Sequence, residues 1–172
     1  DMSNRVVQVL RGFTPNLEIY SIDESFLQIE TVLKQYRDTV DFGRQVKQAV
    51  KETTGLPVCV GIGASKTLAK FANHLAKKHP QFSGVCDVNA MSREALYQWM
   101  SETEVGEVWG IGRQIAKKLK AQKIQSVFDL LQTSPQAMRQ QFGVVMERLC
   151  YELRGVSCLK LEEVTPAKQQ II

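Results

Sequence analysis

Two adjacent carboxylates, Asp23 and Glu24, separate two short β-prone runs, Leu17 to Ile22 and Ser25 to Glu30. This is hairpin spacing, although Asp-Gly or Asn-Gly would suit a two-residue turn better because those residues accept positive φ. Side-by-side carboxylates repel one another, and a cation relieves the repulsion. Hard divalent ions such as Mg²⁺ take one or two carboxylates together with substrate phosphates and water. In phosphoryl transfer, a pair of such ions clamps the attacking and leaving oxygens. The dipeptide by itself reads as a solvent-exposed acidic turn, with Ile19, Ile22, Phe26, Leu27 and Ile29 expected to anchor it on a sheet.

A second chemical candidate is Gly61-Ile62-Gly63-Ala64-Ser65-Lys66-Thr67, which follows a strand pattern and opens a helix pattern. That is the context of a phosphate cradle at a helix N-terminus. The Walker pattern fails because Ser65, not Gly, precedes Lys66. A dinucleotide fingerprint fails for want of a third glycine. The third candidate is Trp109-Gly110-Ile111-Gly112 followed by Ala116, Leu119 and Ile124, the pattern of a helix-hairpin-helix. Its glycines let backbone amides approach a phosphate, with Arg113, Lys117, Lys118 and Lys120 nearby; such contacts are independent of base sequence and sensitive to salt. Lys123 stands where that motif usually carries glycine, which predicts a less clean end to the helix before it and offers a further phosphate contact.

The elements that must position these groups are legible from periodicity. A helix is expected over residues 1–12. Asp41 is expected to cap a helix with Phe42, Val46, Ala49 and Val50 inward, ending near Gly55. Leu56, Val58, Val60 and Ile62 alternate as a half-buried strand. Leu68, Phe71, Ala72 and Leu75 face inward from the next helix, which Pro80 stops, and Gly84 to Val88 reads as another strand. Beyond Asn89 only helices are expected: one capped by Ser92, one after Gly112, one with a Ser126/Asp129 capping box, one opening on Ser134-Pro135 and closed by Gly143, and one over Val144 to Arg154 stopped by Gly155. The fold class is therefore α+β, an antiparallel or mixed sheet with packed helices over 1–88, then a small all-helical module over 89–158. Residues 159–172 read as a connector.

Composition bounds the function classes. The chain of 172 residues is 44% hydrophobic and 23% charged, as expected for one globular domain or two small ones. No run of about 18 apolar residues marks a membrane span, and no signal segment opens the chain. The net charge of +4 is mild, but it is concentrated: Lys66, Lys70, Lys77 and Lys78 form one run without acids, and Arg113, Lys117, Lys118, Lys120 and Lys123 another. Each follows a glycine-rich turn, which suits a phosphate-binding surface. Cys59, Cys86, Cys150 and Cys158 form no C-x-x-C pair, and neither His74 nor His79 has zinc-like spacing to a cysteine, so reduced structural thiols in a cytoplasmic protein are expected. The first residue is Asp1 rather than Met, and the chain ends on Ile171-Ile172, which leads to the expectation of a piece of something longer.

The string Glu18-Ile19-Tyr20-Ser21-Ile22-Asp23-Glu24-Ser25-Phe26 resembles the palm motif of Y-family, translesion DNA polymerases. Val60-Gly61-Ile62-Gly63 through Lys70 resembles a second signature of that family, and the 109–124 pattern resembles its thumb. Asp41-Phe42-Gly43-Arg44, Val108 to Arg113, Glu152-Leu153-Arg154-Gly155 and Lys168 to Ile172 resemble the UmuC/MucB type in particular. The resemblance implies a partial palm over 1–88, a thumb over 89–158, and over 159–172 the start of a linker to a little finger. It further implies that Asp23 and Glu24 are the catalytic, Mg²⁺-binding pair. Lys77 would touch the triphosphate of the incoming dNTP, with Lys78 as its neighbour and Lys70 a weaker candidate, and Gly110, Ile111, Gly112, Arg113, Lys117 and Lys118 would contact DNA.

In that family a further metal-binding Asp, an aromatic gate and the fingers precede this region, so residues 1–172 alone are not expected to bind Mg²⁺ tightly or to polymerise. The partners implied for the intact bacterial protein are primer-template DNA, a UmuD-like dimer, a recombinase filament and a sliding clamp, in the SOS response. Two other readings of the same residues are a non-catalytic helix-hairpin-helix DNA-binding module and a metal-dependent nuclease using Asp23 and Glu24.

Overall fold

The computed structural model describes residues 2–158; the connector expected over 159–172 lies outside the described residues. Helix α1 (Met2–Arg11) leads into strands β1 (Leu17–Ser21) and β2 (Glu24–Leu27), which pair antiparallel. Helix α2 (Thr39–Thr54) follows, then strand β3 (Val60–Ile62), helix α3 (Lys66–Lys78) and strand β4 (Val85–Asp87). Strands β3 and β4 pair parallel, joined by the α3 crossover. The sheet expected as one layer is thus, among the described residues, two separate two-stranded ladders.

Outside the hairpin, two boundaries differ from the sequence reading, each because of a contact distant in the chain. Helix α2 starts one turn early. Asp38, not Asp41, is its cap and accepts from the Asp41 amide at 2.7 Å. Thr39 at its first turn donates its hydroxyl to the buried carboxylate of Asp87 on β4. The strand expected from Leu56 forms only at Val60, because β4 offers just three partners, Val85, Cys86 and Asp87; Leu56 stays exposed.

The rest is helical: α4 (Arg93–Ser101), a 3-10 turn (Val105–Glu107), α5 (Arg113–Ala121), α6 (Val127–Leu131), α7 (Pro135–Phe142) and α8 (Val144–Leu153). Their starts follow local chemistry. The Ser92 and Ser134 hydroxyls accept from amides three residues on, and Ser126 with Asp129 forms the reciprocal capping box. Helix α5 ends on a full Schellman pair, Ile124 N–H to Leu119 O at 2.9 Å and Lys123 N–H to Lys120 O at 3.0 Å. Lys123 takes the left-handed conformation at φ 66°, so the helix ends as cleanly as glycine would allow.

Two cores hold these elements. A smaller one gathers Leu10, Leu17, Phe42, Val46 and Val50 between α1, β1 and α2. The larger runs from Leu68, Phe71, Ala72 and Leu75 of α3 through Met100, Leu119, Val127 and Leu130 to Leu149 and Leu153 of α8. Helix α3 therefore belongs to the core of the helical module as much as to its strands. Leu75, Leu119 and Leu130 are wholly buried at 0% exposure, each stabilising the fold by about 1.5–3 kcal/mol. Cys86 and Cys150 lie in this core as free thiols; burial pushes the Cys86 thiol up to about 12, which leaves it unreactive at neutral pH.

Candidate functional site

The acidic hairpin closes differently from its sequence reading. Its two-residue loop is Ile22-Asp23, and Glu24 already lies on β2 opposite Ser21. Neither loop residue has positive φ, so this is not a type I′ turn. The ladder instead absorbs the strand twist by a register shift at Tyr20 between Ile19 and Ser21, as a bulge does. Ile22 does not anchor the turn; it is 82% exposed. Phe26 is buried and carries that role.

Asp23 is therefore exposed at the loop tip and Glu24 half-buried on the strand. The Ser21 hydroxyl donates to Asp23 Oδ1 at 3.0 Å and lies 3.5 Å from Glu24 Oε2, fixing the two carboxylates around one hydroxyl. Helix α3 runs beside them. Lys70 Nζ forms an ion pair with Glu24 Oε1, and Lys66 Nζ pairs with Glu18 Oε2 at 2.6 Å. The two ammoniums also lie over the hairpin's rings, Lys66 5.2 Å from the Phe26 centroid and Lys70 6.0 Å from that of Tyr20. Lys77, seven residues beyond Lys70, is on the same helix face about 10 Å further along the axis and is exposed.

The glycine-rich turn before α3 does not form a phosphate cradle. The Ser65 hydroxyl accepts from the Leu68 amide and donates to the Glu152 carbonyl oxygen at 2.6 Å. The Glu152 carboxylate, 0% exposed, accepts from the Thr67 amide at 3.0 Å and the Cys158 amide at 2.6 Å. An internal carboxylate thus occupies the helix N-terminus, where an anion is favoured. Gly61 and Gly63 serve packing: a Cβ on Gly61 would fall 2.2 Å from the Asn73 nitrogen, and one on Gly63 2.7 Å from the Ala69 nitrogen.

The Gly110–Gly112 turn is tied to the acidic hairpin. Trp109 Nε1 donates to the Tyr20 hydroxyl at 3.1 Å, and its ring packs edge-on to Tyr20 at 5.3 Å and tilted on Phe26 at 5.5 Å. Gly110 adopts φ 95°. Ile111 is buried, and its amide is bonded to Val108 O at 3.0 Å, so Ile111 seats the turn on the core. Gly112 provides no side-chain cap for α5, leaving the amides of its first turn facing outward. The first arm of this hairpin is only the 3-10 turn Val105–Glu107. Arg113, Lys117 and Lys120 line a cleft of about 620 Å³ whose other wall includes Glu104 and Glu107; Lys120 pairs with Glu104 at 3.5 Å. Lys118 is exposed.

Lys66 and Lys70 of the first basic run and Lys120 of the second are thus met by acids from elsewhere in the chain. Sequence reasoning missed the Glu18–Lys66 and Glu24–Lys70 pairs, the Tyr20–Trp109 bond and the buried Glu152. Their partners are 46 to 89 residues apart, and no local spacing announces them. Among the described residues no three His, Cys, Asp or Glu side chains converge on a metal position. Asp23 and Glu24 are hard oxygen donors, and a cation that completes its shell with substrate oxygens and water suits two such carboxylates.

Comparison with known proteins agrees with the resemblance read from the motifs. Residues 1–74 match the impB/mucB/samB family. The chain is 47% identical to protein UmuC of Salmonella typhimurium over 173 aligned positions, covering 100% of this chain and 40% of that protein. It is 31% identical to DNA polymerase IV of Saccharolobus solfataricus, covering 76% of this chain and 35% of the relative. The crystal structure of DinB from Sulfolobus solfataricus superposes with a TM-score of 0.66 at 25% identity, over 88% of this chain and 43% of that one. The chain therefore spans about 40% of the length of the UmuC relative it matches throughout, and its residues 1–74 are similar to the impB/mucB/samB family.

Proposed function

We propose that these residues supply palm and thumb parts of an error-prone, template-directed DNA polymerase of the Y family, acting in translesion synthesis. The observation that carries this reading is one assembly: a carboxylate pair on a hairpin, Asp23 exposed and Glu24 half-buried, flanked by the basic face of α3 and bonded through Tyr20 to the Gly110–Gly112 turn. Its relatives support the same reading, one of them bearing the name DNA polymerase IV. In this proposal residues 1–88 belong to the palm and 89–158 to the thumb.

Asp23 and Glu24 hold divalent metal, with Mg²⁺ the ion that two carboxylates and phosphate oxygens favour. A divalent ion held by Asp23 and Glu24 would supply charge neutralisation for nucleotidyl transfer. Ser21 orients the Asp23 carboxylate, and Lys70 holds that of Glu24. Lys77, about two turns beyond Lys70 along α3, meets the triphosphate of the incoming dNTP. The turn at Gly110 and Gly112 and the uncapped first-turn amides of α5, with the side chains of Arg113, Lys117 and Lys118, meet phosphates of primer-template DNA, while Ile111 seats the turn on the core. A UmuD-like dimer, a recombinase filament and a sliding clamp are the protein partners proposed, in the SOS response.

The test is primer extension by the full-length protein. Asp23→Ala and Glu24→Ala are expected to abolish nucleotide addition while leaving affinity for primer-template DNA largely intact. Extension by both variants at the unmodified rate would overturn the assignment.

A further inference from the structure

The ion pair between Lys70 and Glu24 has a consequence for the carboxylate pair, one that rests on reading Asp23 and Glu24 as metal ligands. Three acceptor groups crowd the hairpin here: Asp23 Oδ1, Glu24 Oε2 and, further down β1, the carboxylate of Glu18, which Lys66 already neutralises. Ser21 has one hydroxyl proton, and at 3.0 Å it goes to Asp23. Glu24 is then balanced from its other oxygen by Lys70, whose ammonium bonds Oε1. The pair is partly shielded, with side-chain exposures of 19% for Lys70 and 31% for Glu24, so solvent screens it incompletely. Lys70 is also held in place, its stem rising from α3 and its ammonium lying 6.0 Å from the Tyr20 ring centroid.

The geometry points to Lys70 as a charge-compensating positioning residue that competes with the metal for Glu24. The ammonium places positive charge beside Glu24, which offsets the repulsion between the hairpin carboxylates. A divalent cation must displace that ammonium from Oε1 or share Glu24 with it, and in either case it meets a like charge within a few ångströms. Lys70 therefore weakens cation binding at the hairpin in the absence of substrate and reserves tight binding for the moment when substrate phosphates arrive, because the displaced ammonium then finds a new anionic partner. Lys66 differs in kind, since its partner Glu18 lies three residues before Ser21, away from the loop tip.

The experiment measures Mn²⁺ affinity of the full-length protein without nucleotide or DNA, from loss of the free-ion electron paramagnetic resonance signal. Lys70→Met and Lys70→Gln are both expected to tighten Mn²⁺ binding by about tenfold, while Lys70→Arg, which keeps the charge, stays within about twofold of the unmodified protein. Lys66→Met is expected to leave the affinity unchanged. In a Glu24→Gln background the gain from Lys70→Met should disappear, because the competition is for that carboxylate. Unchanged or weaker Mn²⁺ binding in both neutral variants, with circular dichroism showing them folded, overturns the inference. So does a loss confined to nucleotide affinity, which would make Lys70 a triphosphate contact. Should Asp23→Ala and Glu24→Ala leave Mn²⁺ affinity untouched, the metal assignment itself falls and this inference falls with it. Loss of Mn²⁺ binding in those two variants without a gain at Lys70 refutes only the inference.

Discussion

The carboxylate of Glu152, wholly buried, accepts a hydrogen bond from the backbone amide of Thr67 at 3.0 Å. It joins α8 to the first turn of α3, the helix whose lysines line the acidic hairpin. The bond lies at the positive end of the helix dipole, which favours a buried negative charge there.

Glu152→Ala removes acceptors for both the Thr67 and Cys158 amides and is expected to destabilise the fold by about 3 kcal/mol. Glu152→Gln keeps one carbonyl oxygen but turns an amide donor toward a backbone donor, for a loss of about 2 kcal/mol. Urea denaturation at neutral pH measures both, and a loss under about 0.5 kcal/mol in each would show that the carboxylate is not holding α3.

Gly61→Ala separates packing from phosphate binding at the same turn. The added methyl would lie 2.2 Å from the Asn73 nitrogen and 2.3 Å from the Ala69 oxygen, both backbone atoms. Strand β3 must move away from α3, at a cost of about 3 kcal/mol. The expected readout is a lower unfolding midpoint with unchanged nucleotide affinity in whatever fraction remains folded. Intact stability with lost nucleotide binding would restore the phosphate-cradle reading.

Lys123 occupies a left-handed position at φ 66° inside an otherwise complete Schellman end. A side chain costs about 1–2 kcal/mol there. Lys123→Gly is therefore expected to raise stability by about 1 kcal/mol, read as a higher urea midpoint with the same slope. If Lys123 also touches a DNA phosphate, the same variant lowers the salt dependence of DNA binding by about one unit.

His74 sets a pH dependence. Burial, the largest influence, pulls its pKa below the ordinary 6.5, only partly opposed by Glu107, while Lys78, His79 and Lys77 act in the same direction as burial. The imidazole Nε2 is buried without a hydrogen-bond partner. Below the unfolded-state pKa the unfolded chain takes up a proton that the folded chain resists, so stability is fully present above that value and is lost as pH falls through it toward the folded pKa. His74→Gln, which cannot titrate, should flatten the stability profile below about pH 6.5. An identical slope in both proteins would show that His74 contributes nothing.

Much of this architecture is written in short-range chemistry. The Ser126/Asp129 capping box, the Ser92 and Ser134 caps and the glycine stop at Gly155 involve partners within a few residues, so spacing suffices to read them. The order of the acidic pair, the basic helix and the Gly110–Gly112 turn is likewise explicit, and so is the family they resemble. The start of α2 was misplaced because Thr39 is held by Asp87, 48 residues away. The hairpin loop was misplaced by one residue because the shift at Tyr20, not the turn residues, absorbs the twist.

The sequence by itself determined which groups exist and in what order: two carboxylates, a lysine-rich helix, a glycine-flanked turn and the caps that start each helix. Only the tertiary structure decided what those groups face. It set Lys70 against Glu24, Trp109 against Tyr20 and Glu152 against the N-terminus of α3. The physical reason is that a cap or turn closes over three or four residues whose geometry is set by the backbone. A pair separated by 46 or 89 residues meets only because two hydrophobic cores bring its elements together, and many chain paths share the same local spacing.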